Sequence, residues 1–444
     1  MKYDAPRMTE VGSVRDLTLG KLASGPMKDN HIWWDIWGDP QHVPPAPRRG
    51  PRVSAPTAQA TFCGLTRAET LLALPAATTV PVPVERTGLG ARATLEAILL
   101  DALSTPPCHV LFSGGRDSSA LLALAVHLAR RHGLPEPLPV TVRHPAAPES
   151  DETTWQQLVL AHLGLRHHHV LEFAGEQRLL GEVATAALRR HGPQWPEAVQ
   201  LQGAVYRRLE PGVVISGEGG DAIIDGQRMG AIRDALALTR PRRRHLRQGL
   251  RAARPNVLRR RDVRAQGPSI SPPWLRRAAA TEYLTRVTAL AQEPLRWDRA
   301  TREALRSRPM AVAMANFAAG IAEYGSRPVN PFADLRFADA LAAEAGPLGW
   351  GDRTAVFRRL FHDVLPDRVL SRRSKASFNS TRWGPEERAF ARAWDGSGLD
   401  PDWVDADALR SAWLEEDPHP AADYLLQVAW CQSQGIATVL EQTP

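Results

Sequence analysis

The sequence predicts an α/β protein, with a parallel sheet that carries helices on both faces and is followed by a mainly helical C-terminal part. Four short segments with the character of strands alternate with stretches whose apolar residues recur every three or four positions. Such alternation is typical of a parallel sheet covered on both sides. Beyond about residue 225 the helical spacing dominates, as in 300–324 and 421–438.

The elements follow in chain order from this periodicity. A helix over 91–103 leads towards the first strand. The predicted strands are 107–112, 138–143, 167–172 and 212–216. Helices are predicted over 118–132 and 152–163, where they would serve as crossovers between parallel strands.

Length and composition are those of a globular protein. A chain of 444 residues is long enough for more than one domain, and 43% hydrophobic residues is ordinary. No apolar run approaches the roughly 18 residues of a membrane span, so stable membrane insertion is not expected. The three cysteines, Cys63, Cys108 and Cys431, are scattered and indicate neither a disulfide framework nor a zinc site. We therefore expect a cytoplasmic location.

The net charge of +7 is concentrated in the arginine-rich stretch 240–264. Two interpretations stay open: a solvated insertion, or a docking surface for an acidic peptide, a partner protein or a membrane. Nucleic acid is not an expected partner, because no aromatic residues are interleaved to stack on bases. A metal role is not expected for His167–His169, because neighbouring side chains of a strand point to opposite faces.

A first glycine loop, Ser113-Gly-Gly-Arg-Asp-Ser-Ser119, lies between the strand 107–112 and the helix 118–132. A tight loop that runs into a helix directs several backbone N–H groups at one point, which suits a phosphate. Gly114 and Gly115 allow the backbone to approach such a ligand closely. The loop therefore predicts a phosphate site.

A second loop, Ser216-Gly-Glu-Gly-Gly-Asp221, follows the strand 212–216 and carries two carboxylates, Glu218 and Asp221. Because the carboxyl ends of parallel strands meet at one edge of a sheet, we expect these acids to lie near Asp117 of the first loop. Carboxylate oxygens beside a phosphate site predict a magnesium–nucleotide site.

Both loops resemble known motifs. The first loop resembles the pyrophosphate-binding loop of the ATP pyrophosphatase group, and the second loop resembles a motif of asparagine synthetase. Three later segments resemble the asparagine synthetase family in the same order: Glu149–Glu152, Asn330–Asp334 and the basic stretch 365–378 that contains Lys375. The resemblance covers about residues 106–435 and implies the adenine nucleotide α-hydrolase-like fold.

The resemblance also implies a reaction, in which ATP and Mg²⁺ convert a carboxyl group to an acyl-adenylate and an amine then displaces AMP. It implies contacts to ATP and pyrophosphate from Leu111, Ser113, Gly114, Gly115, Asp117, Ser118, Ser119, Gly217 and Lys375. Asp117 and Asp221 would bind the metal. Glu218 and Lys375 are the implied catalytic residues: Glu218 would orient the amine or take its proton, and Lys375 would neutralise phosphate charge. Arg372 and Arg373 are weaker candidates for that last task.

Two departures from the family pattern bear on the substrate. Ala222 follows Asp221, where the family has an acidic residue, which argues against an enzyme for free aspartate. Lys2 follows Met1, where glutamine-dependent members have a catalytic cysteine, and too few residues precede Ser113 for a complete glutaminase domain. We therefore expect a substrate amine as nucleophile.

The first twenty residues resemble the leader of a lasso-peptide precursor, with Tyr3 and Pro6, then Gly12, and Thr18 before Gly20. This resemblance implies a lasso-peptide macrolactam synthetase whose partners are the precursor peptide, a leader-binding protein and a leader peptidase. The first acid after Gly20 is Asp29, beyond the usual ring position, so residues 1–40 are open to interpretation as substrate, relic or fused gene.

Four regions result: a precursor-like segment 1–40, a Pro/Arg-rich linker 41–58, a truncated remnant of a glutaminase-like domain 59–105, and the ligase domain 106–444. Three other functions remain open: an ammonia-dependent asparagine synthetase, a β-lactam-type synthetase, and a catalytically inactive scaffold that binds peptide.

Overall fold

A computed structural model describes residues 61–224, 228–237, 243–372, 374, 376 and 378–441. The precursor-like segment 1–40, the linker 41–58 and Lys375 lie outside these residues.

The centre of the fold is a five-stranded sheet in which every neighbouring pair is parallel. The strands are β1 Cys108–Leu111, β2 Leu138–Arg143, β3 His169–Glu172, β4 Val213–Ile215 and β5 Arg327–Val329. Their spatial order is β3-β2-β1-β4-β5, so the winding direction reverses between β1 and β4. In open α/β sheets, ligands bind outside the carboxyl ends of the strands at such a reversal.

The four predicted strands are confirmed, and β5 is one that the sequence analysis missed. β5 has only three residues and contains Pro328, which cannot donate a ladder hydrogen bond and is therefore typical of an edge strand. Its position comes from pairing with β4, where Val329 lies opposite Ile215. A run this short has no periodicity that would identify it.

The strands are connected and covered by helices, which are listed here in chain order. They are α1 Arg67–Leu72, α2 Ala91–Leu103, α3 Arg116–His132, α4 Thr153–Leu163, α5 Glu182–His191, α6 Val199–Tyr206, α7 Gly220–Ile224, α8 Arg228–Ala237, α9 Arg243–Ala253, α10 Asn256–Ala265, α11 Gly267–Ile270, α12 Arg277–Leu290, α13 Trp297–Ala304, α14 Arg308–Ala322, α15 Leu335–Ala345, α16 Arg353–Phe361, α17 Asp367–Leu370, α18 Pro385–Ala393, α19 Ala406–Trp413 and α20 Pro420–Ser433. Short 3₁₀ turns occupy Pro148–Ser150, Pro331–Ala333, Asn379–Arg382 and Val439–Glu441.

The predicted helix 91–103 is confirmed as α2, and the helices predicted over 118–132 and 152–163 are α3 and α4. The stretch 300–324 is divided into α13 and α14. The division falls where Ser307 is extended at the N-cap of α14 and Pro309 occupies its first turn. Proline is favoured in a first turn because the N–H it lacks has no partner there within the helix.

Both faces of the sheet are buried under helices, as predicted. Side chains alternate along β1, so Val110 and Phe112 belong to one core cluster and Leu111 to another. The first cluster contains apolar residues of α2, α3, α15 and α16. The second contains residues of α5, α6 and α14.

A third cluster forms the helical C-terminal part around α20, whose residues 421–431 are all buried. It includes the buried rings of Trp274, Tyr283 and Trp413, together with the leucines of α1. None of the helices in the described residues is long and apolar enough to cross a membrane.

Candidate active site

The first glycine loop is a closed turn between β1 and α3. The N–H of Gly115 donates to Ser113 Oγ at 3.0 Å, and the N–H of Ser113 donates to Ser118 Oγ at 3.1 Å. The hydroxyls of Ser113 and Ser118 are hydrogen-bonded to each other at 2.9 Å. Gly115 is the extended N-cap residue of α3, so the loop ends at a helix N-terminus, which favours an anion.

Gln156 of α4 supports the first glycine loop. It was not predicted as a site residue. Its Nε2 donates to the carbonyl oxygen of Ser113 at 2.9 Å. Gly114 has φ +87°, and a Cβ there would lie 2.9 Å from Gln156 Cγ. Glycine is therefore required at Gly114 for its conformation and for the close approach of α4.

The acidic segment 149–152 fixes the basic stretch 365–378 to the same loop. Glu152 forms a buried ion pair with Arg372, whose guanidinium also donates to the carbonyl oxygen of Gly114 at 2.8 Å. The guanidinium lies 4.7 Å from the centre of the Trp155 ring, a distance typical of a cation–π contact. Burial raises the pKa of the Glu152 carboxyl, and Arg372 opposes that rise. Arg372 thus belongs to a structural ion pair beneath the first glycine loop.

The second loop is attached to β5 through Asn330. The N–H of Ser216 donates to the Val329 carbonyl oxygen at 3.0 Å, and its hydroxyl donates to Asn330 Oδ1 at 2.7 Å. The N–H of Glu218 donates to Ser216 Oγ at 3.3 Å. At the far end of the segment 330–334, Asp334 caps α15 by accepting a hydrogen bond from the Arg336 N–H at 2.8 Å.

Glycines bring the two loops into direct contact. A Cβ at Gly217 would lie 3.0 Å from Asp117 Cβ, and one at Gly220 would lie 2.7 Å from Asp117 Oδ1. Gly219 has φ +90°, and a Cβ there would lie 2.8 Å from that of Ala333. The predicted meeting of the two loops at the carboxyl edge is therefore observed, and it depends on the absence of side chains.

Arg353 bridges the two aspartates that were predicted to bind metal. One terminal nitrogen of its guanidinium contacts Asp117 Oδ2, and the other contacts Asp221 Oδ1. The side chain is buried and packs on the Phe357 ring, 5.2 Å from the ring centre. The contacts of Arg353 with the two aspartates were not predicted, although the sequence contains one indication of them. An arginine in the first turn of α16 opposes the helix dipole and needs acidic partners.

Glu218 completes a group of three acids with Asp117 and Asp221. Its Oε2 atom is buried and has no hydrogen-bond partner among the described residues. Burial raises the pKa of Glu218 well above its usual range, and the charges of Asp221 and Asp117 raise it further. The site therefore favours the neutral form of this carboxyl group when no cation is bound.

The residues present fit Mg²⁺. Asp117 and Asp221 supply carboxylate oxygens, the ligand type that Mg²⁺ prefers, and in this structure the Arg353 guanidinium lies between them and supplies the positive charge. No group of three or more His, Cys, Asp or Glu side chains in the described ranges is arranged as a metal cage. A few protein carboxylates are typical of Mg²⁺ that is bound together with phosphates.

The remaining predicted site residues are placed as follows. Leu111 is buried at the end of β1, and Ser119 is buried in the first turn of α3. Lys375 lies outside the described residues. Its neighbour Phe378 is buried beside the end of β2, 6.4 Å from the His144 ring between centroids. The Phe378 side chain thus anchors the basic stretch at the carboxyl edge of the sheet.

Most of the described chain matches one protein family. The family model described as asparagine synthase matches residues 91–433, from the first residue of α2 to the last residue of α20. No curated protein matches the chain. The match covers well over half of the sequence and contains both glycine loops, the Asp117–Arg353–Asp221 bridge and the parallel sheet. The chain therefore belongs to the asparagine synthase family, a family of ATP-dependent carbon–nitrogen ligases.

Proposed function

We propose that this ligase closes a macrolactam in a lasso peptide by joining a side-chain carboxyl group to the peptide's N-terminal amine, with release of AMP and pyrophosphate. The observation that supports the chemistry is the contact between the two glycine loops, in which Gly217 and Gly220 pack against Asp117 and Arg353 joins Asp117 to Asp221. The family supplies ATP-dependent amide formation. The peptide substrate is our proposal.

In the first step, a carboxylate oxygen of the peptide attacks the α-phosphorus of ATP, and the bond from that phosphorus to the oxygen that bridges to the β-phosphate breaks. The leaving pyrophosphate gains negative charge. The N–H groups of Ser113 and Gly115 donate within the loop, so the hydroxyl groups of the loop and the N–H groups of the first turn of α3 would hold it. Asp117 and Asp221 would hold Mg²⁺, which when bound neutralises charge on the phosphates. Lys375 would also neutralise negative charge on the phosphates.

In the second step, the amine nitrogen attacks the acyl carbon, the carbon–oxygen bond to AMP breaks, and the amine gives up a proton. Glu218 would take that proton or orient the amine. A carboxyl group whose pKa is raised is a stronger base once ionised than an ordinary glutamate, which suits this role.

Two sequence features support a peptide substrate. Ala222 stands where the family has an acidic residue, which disfavours free aspartate as substrate, and residues 1–20 resemble a precursor leader. We propose further that the enzyme acts in the cytoplasm with a precursor peptide, a leader-binding protein and a leader peptidase.

Mass spectrometry tests this proposal. The full chain is incubated with ATP, Mg²⁺ and a leader-free core peptide encoded beside it, and AMP is quantified. Loss of one water from the peptide for each AMP formed is the expected result. ADP as the nucleotide product would overturn the adenylation step.

Other outcomes would assign another function. Asparagine from aspartate and ammonium would identify an asparagine synthetase, and turnover of a free β-amino acid would identify a β-lactam-type synthetase. If no substrate yields AMP, the result would favour a catalytically inactive scaffold that binds peptide, or a defunct fusion.

A pair of matched variants tests the metal assignment. We expect Asp117→Ala to abolish AMP formation while the protein still binds the peptide. Asp101→Ala removes the same group from the exposed face of α2 and should leave turnover unchanged. Turnover retained by Asp117→Ala would contradict the assignment.

A further inference from the structure

Helix α9, between β4 and β5, carries an exposed stripe of arginine and leucine. The stripe, here called the α9 stripe, consists of Arg243, Leu246, Arg247, Leu250 and Arg251. These positions are three or four residues apart, so they lie on one side of the helix. The other side faces α8: a Cβ at Gly249 would lie 2.7 Å from that of Ala235, and Ala252 is buried.

The α9 stripe combines apolar exposure with unneutralised charge. Leu250 is 69% exposed and Leu246 is 44% exposed. In the part of the chain that the structure describes, the arginines of the stripe form no ion pair, whereas Arg254 just beyond α9 pairs with Asp262 at 2.7 Å. Exposed leucines beside arginines without an ion pair among the described residues give this face both apolar and charged groups for a partner to contact. A complementary partner must supply both acidic and apolar side chains.

The chain itself contains a segment of that chemistry. Residues 29–39 read Asp-Asn-His-Ile-Trp-Trp-Asp-Ile-Trp-Gly-Asp, with three carboxylates, three tryptophans and two isoleucines but neither Lys nor Arg. Tryptophan is the aromatic residue that binds a guanidinium best. Within this protein, Arg359 already lies 4.4 Å from the Trp350 ring centre and Arg388 5.2 Å from that of Trp383.

A long connection joins the segment to the described part of the chain. Residues 40–60 separate the segment from the first described residue, Thr61, and an extended chain of that length spans about 70 Å. A connection of that length can span most of a folded chain of this size.

We propose that the acidic aromatic segment 29–39 binds the α9 stripe of the same chain. Asp29, Asp35 and Asp39 would pair with the arginines, and the tryptophans would cover Leu246 and Leu250. This contact would hold the N-terminal segment on the enzyme. It goes beyond the proposed function and does not depend on catalysis, because it is a binding event at a surface formed by α9.

Photo-crosslinking of the full chain tests the proposal. With benzoylphenylalanine in place of Trp34, irradiation should produce cross-links to residues 243–254. We expect Arg247→Glu with Arg251→Glu to reduce their yield about tenfold, as two exposed ion pairs are replaced by repulsion. Adding Asp35→Arg and Asp39→Arg should restore the yield, which also shows that the variant helix is folded.

A matched control separates the stripe from the general charge of this region. Arg261 and Arg264 are exposed on α10, and their replacement by glutamate makes the same change in net charge. This control variant should keep the parent yield. A tenfold loss in the control, or no recovery in the charge-swapped variant, would overturn the proposal.

Three further outcomes would also overturn it. Cross-links that map away from α9 would place the segment elsewhere. If mixed ¹⁵N-labelled and unlabelled chains yield only cross-links between chains, the segment binds a second copy. Arginine-dependent binding of phosphatidylserine vesicles, without any Trp34 cross-link to α9, would assign the stripe to a membrane surface.

Discussion

Gly220 and Asp117 are in such close contact that a Cβ at Gly220 would lie 2.7 Å from Asp117 Oδ1 and 2.9 Å from its carboxyl carbon. The two residues belong to different loops, one after β1 and one after β4, and the contact fixes the distance between them. The position of the Asp117 carboxylate thus depends on Gly220, which has no side chain and lies more than one hundred positions away in the sequence.

This contact makes Gly220→Ala a sensitive probe of the site. We expect the new methyl group to displace the Asp117 carboxylate, to destabilise the protein by about 1–3 kcal/mol, and to lower AMP formation about 100-fold. Urea unfolding and an AMP assay measure the two effects. The control is Gly230→Ala in α8, where the nearest atom to a new Cβ is the end of Arg233 at 3.8 Å. Unchanged turnover in Gly220→Ala would contradict the geometry.

The Arg353 bridge leads to a prediction about divalent cations. In Arg353→Met, Asp117 and Asp221 lose their shared buried cation, so we expect the protein without Mg²⁺ to be destabilised by about 3–5 kcal/mol. Because Mg²⁺ supplies a replacement charge, it should recover part of the lost Tm in the variant and change the parent less. Thermal unfolding with and without Mg²⁺ measures this difference.

A surface pair provides the control for that experiment. Arg358 in the same helix pairs with Asp367 at 2.5 Å, and both side chains are exposed. Because exposed ion pairs contribute little, Arg358→Met should leave the Tm close to that of the parent, with or without Mg²⁺. Equal responses of the two variants to Mg²⁺ would show that Asp117 and Asp221 do not attract the cation.

The Glu152–Arg372 pair beneath the first glycine loop should behave as one unit. We expect Glu152→Gln and Arg372→Met each to cost about 3 kcal/mol, because each leaves a buried charge without its partner. The double variant should be less destabilised than the sum of the two, with a coupling of about 1–3 kcal/mol. Urea unfolding of all four proteins gives this cycle. Simple additivity would show that the two side chains do not interact.

Glu293 gives a prediction about pH. Burial raises the pKa of its carboxyl from 4.5 to about 7, and the carboxyl accepts a hydrogen bond from the Arg228 N–H. The folded protein therefore holds this proton more tightly than the unfolded chain. The resulting stabilisation is complete below pH 4.5 and is lost as the pH rises through about 7.

Glu293→Gln should remove this dependence, because the amide keeps an acceptor oxygen and has no charge to gain. Relative to the parent, the variant should become more stable as the pH rises from about 5 to about 8, by up to about 3 kcal/mol. Urea unfolding across that range measures the change. The exposed Glu303→Gln serves as control and should follow the parent curve. Parallel curves for Glu293→Gln and the parent would exclude the raised pKa.

Much of the fold, and the meeting of the two glycine loops, could be predicted because the local sequence encodes the strands, the helices and the loops. β1, β2 and β4 contain apolar runs, and α2, α3 and α4 have a helical apolar period. The two glycine loops could be placed together because the carboxyl ends of parallel strands share one edge of a sheet. β5 could not be identified, because three residues with a proline have no recognisable period.

The sequence by itself determined which groups are available for chemistry: a glycine loop before a helix, three acids after two strands, and an acidic aromatic segment near the start of the chain. Only the tertiary structure decided how those groups are paired. Arg353 is far from both Asp117 and Asp221 in the sequence, and Arg372 is far from Glu152, so no local spacing connects them. The physical reason is that a buried charge must be paired with an opposite charge. Which opposite charge lies next to it depends on how the helices pack, and that packing depends on the whole chain.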